Sequence, residues 1–95
     1  MKKQQAQKNL GKRIKEIRLK KGITQAQLAS DIDKDQQSIQ RLEAGNINPS
    51  YWYLLQIAEG LEIKLSELLD LWLPFFLKSL TFFKTTFPFS FFAIN

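Results

Sequence analysis

The chain contains neither cysteine nor histidine. Without cysteine there is no disulfide framework and no thiolate metal site, and the redox compartment is left open. Without histidine, the commonest metal ligand and the commonest general base are both missing. No carboxylate pair and no nucleophile beside a base stands in for them. The sequence therefore predicts no catalytic residue, no metal site and no cofactor, and it does not read as an enzyme. Acid is scarce where base is dense. Nine of the 14 Lys and Arg residues fall within the first 21 positions, and Glu16 is the only acid among them. A net charge of +5 gathered toward one end favours a polyanion, either nucleic acid or an anionic membrane surface. The amino terminus also lacks the apolar run of a secretory signal, which predicts a cytoplasmic location. A length of 95 residues allows one small domain with a modest core.

The most informative stretch is Asp35 to Gly45. A helix turns about 100° per residue, which places Gln36, Gln37, Gln40, Arg41 and Ala44 on one arc of roughly 140°. Ile39 and Leu42 point the other way. Asp35 is a good N-cap, because its carboxylate accepts from the free amides of the first turn. Gly45 is a good stop, because it tolerates the left-handed backbone found at helix ends. The stretch reads as a short, self-terminated helix with an apolar root and a face rich in hydrogen-bond donors and acceptors. A solvated amphipathic helix is the plainer reading of this segment taken alone.

The flanking chain supplies the context. Residues 1–8 are polar and basic, either a frayed helix start or a flexible arm. Leu10, Ile14 and Ile17 then recur at helical spacing as far as Lys21, with Lys12, Arg13 and Lys15 among the solvent-facing positions. Gly22 ends this helix. Thr24 and Gln27 form a capping box for the second helix, and Ile23 with Leu28 makes a hydrophobic staple across its start. Leu28, Ala29 and Ile32 face inward. Asp33-Lys34 is a tight connection, with Asp33 able to accept positive φ. Two short helices joined so tightly are the layout of a helix-turn-helix. After a loop at residues 46–50, Ser50 caps a fourth helix whose stripe is Leu54, Ile57, Ala58 and Leu61, and Gly60 marks its end. A fifth helix is predicted from Ser66 to about Leu73, with Pro74 ending or kinking it. Five helices with short links predict an all-α bundle.

Several motifs match a known pattern together. Leu10-Gly11-Lys12-Arg13-Ile14-Lys15-Glu16-Ile17-Arg18, Gly22-Ile23-Thr24-Gln25-x-x-Leu28-Ala29, Ile39-x-x-Leu42-Glu43-x-Gly45 and Asn48-Pro49-Ser50 resemble the Cro/repressor-type (XRE) helix-turn-helix family of bacteria and phages. The resemblance covers about residues 9–70, and Gln36-Gln37-Ser38-Ile39 is similar to the recognition-helix start of certain lambdoid phage repressors. It implies a five-helix lambda-repressor-like fold and DNA-binding roles at matching positions. Gln25 would hold a backbone phosphate. Gln36 and Gln37 would reach base edges in the major groove, where a glutamine amide pairs with adenine. Gln40 would add a base or backbone contact, and Arg41 would address guanine or a phosphate. Asn46, Asn48 and Ser50 would meet the far strand's backbone. Arg18 and Glu43 would form a partly buried structural ion pair. The implied function is transcriptional regulation, as a repressor, by a homodimer on a palindromic double-stranded DNA operator. Apart from the resemblance, the basic charge of the first helix suits a phosphate contact by Lys12 or Arg13, although a solvated face is the plainer reading of its lysines.

Some positions depart from the pattern. Asp33 stands where glycine is usual. Lys34 stands where an apolar residue plugs the turn, which predicts looser packing there. Lys64 is a poor cap for the fifth helix. Within Tyr51-Trp52-Tyr53, one ring is expected in the core, and an exposed Trp52 would suit a protein interface.

The division predicted is a DNA-binding domain over 1–70 and a hydrophobic aromatic tail over 71–95. All eight Phe lie in that tail, with Lys78 and Lys84 its only charges. Its uncharged runs are too short to span a membrane, which takes about 20 residues. A weakly ordered or non-native end, including a frame-shifted one, is favoured over packing against the bundle or a second copy. A membrane anchor is favoured least. The rival function is the antitoxin of a toxin–antitoxin pair, with the tail as its protein-binding segment.

Overall fold

The computed structural model describes residues 2–70, and these form five helices with no strand among them. They are α1 (Lys3–Lys20), α2 (Gln25–Asp31), α3 (Gln36–Glu43), α4 (Tyr51–Gly60) and α5 (Leu65–Leu68). Among the described residues, no helix is long and apolar enough to cross a membrane. The readings placed on the aromatic tail fall outside the described residues.

Several helix boundaries have a local cause. Thr24 and Gln27 satisfy each other's exposed amides at the start of α2, at 3.0 and 2.8 Å. Asp35 accepts from the Ser38 amide at 2.7 Å, and Ser50 from the Tyr53 amide at 3.1 Å. Gly22 and Gly45 take the left-handed backbone after α1 and α3, with φ of 69° and 78°. Asp33 does the same in the α2–α3 connection, with φ of 57°, where the Lys34 amide donates to the Ala29 carbonyl at 2.8 Å. Lys64 makes no side-chain cap to α5.

The structure decides one boundary that the sequence leaves open and shifts another. α1 begins at Lys3, and its first turns are tied down because Gln7 Nε2 donates to the Gly45 carbonyl at 3.1 Å. α5 begins at Leu65 and ends at Leu68, short of the span expected from residue 66 to about 73. Its last turn tightens: the Asp70 amide reaches back three residues to the Glu67 carbonyl at 3.3 Å. Only Leu68 is fully buried there, and Leu69 is 40% exposed; the expected positions 71–73 lie outside the described residues.

The core draws on all five helices. Ile14, Leu28, Ile39, Leu42, Ile57, Leu61 and Leu68 are sealed from solvent, with Leu10, Ile17, Ala29, Ile32 and Ala58 around them. The stripe expected on α4 is buried except for Leu54, which is half-buried. Of the aromatic trio, Tyr53 packs against this core, while Tyr51 and Trp52 stay exposed.

Candidate nucleic-acid interface

α3 sets the geometry. Ile39 and Leu42 anchor it in the core, and the 3.6-residue period then turns Gln36, Gln37, Gln40 and Arg41 outward, all exposed. The face is chemically uniform: three neutral amides and one guanidinium, with Ala44 at its far end. Asp35 holds the first turn. Its carboxyl lies below the usual carboxylate range, chiefly because it accepts the Ser38 backbone N–H, with Arg41 and Lys34 nearby adding to the effect.

The inner side of α3 is gripped at its other end. Arg18 Nε and Nη2 donate to the two carboxylate oxygens of Glu43 at 2.6 and 3.0 Å, and Arg18 Nη1 donates to the Ile23 carbonyl at 2.8 Å. The two side chains are only 7% and 4% exposed. Gln25 Nε2 adds a third donor to Glu43 Oε1 at 3.0 Å. Gly11 lets α1 press directly on this end. A Cβ there would lie 2.5 Å from the Leu42 and Glu43 carbonyl oxygens. Gly45 is similarly close to Lys8, whose Cα would lie 2.7 Å from an added Cβ.

The residues read as phosphate contacts are placed unevenly. Gln25 is half-buried at the start of α2 and lines a shallow hollow that Thr24 and Gln36 share. Asn46, Asn48 and Ser50 are exposed in the α3–α4 loop, although the Ser50 hydroxyl oxygen already serves as a cap. Lys12 is exposed on α1. Arg13 is not grouped with them. Its Nε and Nη2 donate to the Glu67 carbonyl at 3.3 and 2.9 Å, so this guanidinium is engaged on α5. Among the described residues, no group of His, Cys, Asp or Glu side chains is arranged to hold a metal ion.

Sequence reasoning missed several of these arrangements. Gly11 carries no role in the motif as read from sequence, although a glycine inside a good helix costs stability and so signals a close approach. Gln7 carries none either. Lys34, although exposed, sits 5.3 Å from the centre of the Tyr53 ring, a cation–π contact at the turn. Burial raises the Tyr53 phenol above its ordinary value, with Asp35 nearby adding to the effect.

A profile of the helix-turn-helix family matches residues 14–68. The crystal structure of the restriction-modification controller protein C.AhdI from Aeromonas hydrophila is similar, at 33% identity and a TM-score of 0.63. The match covers 64% of this chain and 92% of that one. The clp gene regulator ClgR from C. glutamicum shares the fold, with a TM-score of 0.67 at 23% identity over 70% of this chain and 86% of that one. No curated protein sequence matches.

Proposed function

This chain belongs to the Cro/repressor-type helix-turn-helix family of DNA-binding transcriptional regulators, and on that premise we propose that it is a sequence-specific repressor acting as a homodimer. The observation that carries the reading is the exposed face of α3. Gln36, Gln37, Gln40 and Arg41 stand outward from a helix rooted by Ile39 and Leu42. Glutamine amides offer a donor and an acceptor side by side, the pattern that pairs with the adenine edge in the major groove. Arg41 carries the bidentate donors that suit guanine, and serves equally for a phosphate.

Around that face, Gln25, Lys12, Asn46, Asn48 and Ser50 act as backbone contacts that set the register. Arg13 joins them with donors that its bond to Glu67 leaves over. Residues 1–70 make up the DNA-binding domain. The chain works in the cytoplasm, where its operator is. Two copies are required by geometry. One reading helix spans only a few base pairs, and two of them about 34–36 Å apart reach successive major grooves of a palindrome. The antitoxin alternative rests on the aromatic tail, outside the described residues.

Random-oligonucleotide selection with the full chain tests the proposal. The expected result is a palindromic motif with half-sites about 10 base pairs apart, centre to centre. Recovery of no enriched motif refutes it.

A further inference from the structure

We propose that Glu43 is a positioning residue for DNA binding: its carboxylate, charge-balanced by Arg18, fixes the Gln25 amide at the DNA backbone. The inference rests on reading the α3 face as a DNA interface and deepens that reading.

Arg18 alone accounts for an anchoring role. Its two donors occupy both oxygens of Glu43 and tie α1 to α3. The third donor has no part in that tie. Gln25 Nε2 comes from α2, from a half-buried side chain, and it donates to an oxygen already bonded to Arg18. A surface glutamine ordinarily keeps most of its rotamer freedom, which must be given up when it binds anything. The bond to Glu43 removes that freedom in advance. By valence it leaves one N–H and the carbonyl oxygen of Gln25 uncommitted to Glu43, in the hollow shared with Gln36.

Charge balance explains why a carboxylate can do this beside a polyanion. An unpaired Glu43 would repel phosphate, but the buried guanidinium of Arg18 cancels it. Both ions are sunk below the surface and neither reaches outward. The contact therefore passes through a neutral amide held rigid from beneath.

Two measurements on the full chain test this. In the free protein, ¹⁵N relaxation of the Gln25 side-chain amide should match that of the rigid backbone. Fast, unrestricted motion there overturns the proposal without any variant having to fold. Operator affinity is then measured for wild type, Gln25→Met, Glu43→Asp and the double variant, with a thermal melt of each. Glu43→Asp keeps the charge but shortens the reach. Each single variant, still folded, should bind about 10-fold more weakly, and the double variant no worse than Gln25→Met, since both remove one contact. The salt dependence should stay unchanged, because the lost donor is neutral. Losses that multiply, or a folded Glu43→Asp that binds like wild type, overturn the proposal while leaving the DNA reading intact. Wild type that binds no duplex overturns the DNA reading itself.

Discussion

The two ends of α3 live under opposite conditions. Its opening turns present Gln36, Gln37 and Gln40 to solvent, held by the Asp35 cap and by Ile39 in the core beneath. Its closing turn is held by α1 at three points: Arg18 on the Glu43 carboxylate, the bare backbone of Gly11, and Gln7 on the Gly45 carbonyl. A reading helix needs both conditions. The free end can touch a partner only because the held end fixes the angle at which it is presented, and a misplaced scaffold blurs every contact made from it.

That contrast is most easily broken at the held end. Glu43→Ala leaves the Arg18 guanidinium buried without its partner, and we expect a loss of about 3–5 kcal/mol of folding stability by chemical denaturation. Stability within about 1 kcal/mol of wild type would mean that the ion pair is replaceable, as exposed pairs are. Gly11→Ala comes next. Its methyl would press on two carbonyl oxygens at 2.5 Å, so α1 must move off α3. We expect a cost of about 1–3 kcal/mol, the usual range for overpacking, read from the same denaturation curves. An Ala variant as stable as wild type would show that the crossing has slack.

The free end should behave in the opposite way. Gln37→Ala should leave the melting temperature unchanged, yet weaken the preferred operator by about 1–3 kcal/mol and relax one base position. Equal weakening on every duplex would assign Gln37 to the backbone instead. The smallest effect sharpens the comparison at the cap. The Asp35 carboxyl titrates below its ordinary value in the folded chain, so its contribution is complete above the unfolded value and is lost as pH falls through the folded one. Thermal melts toward strong acid should show wild type losing ground to Asp35→Asn, a cap that does not titrate. Parallel curves would show that the charge of Asp35 adds nothing to the cap.

Much of this contrast is legible along the chain, but not evenly. The capping box of Thr24 and Gln27, the caps at Asp35 and Ser50, and the left-handed Gly22, Asp33 and Gly45 all follow from residues within four positions of one another. The free face of α3 follows likewise, from the phase of two apolar residues. Which of the two readings of residues 1–8 holds was not legible, because Gln7 finds its acceptor 38 positions away. Nor was the end of α5 at Leu68. Lys34 looks like a packing fault in the sequence and is a ring contact with Tyr53 in the fold.

Alone, the sequence determined where helices begin and end and which side of α3 is polar, because capping, glycine conformation and helical phase are short-range. Only the tertiary structure decided which polar groups already hold a partner inside the fold. Arg13 is bonded to a carbonyl 54 positions away, and Gln25 to a carboxylate 18 away. A donor's partner depends on which helices meet, and one stretch of chain does not contain that information.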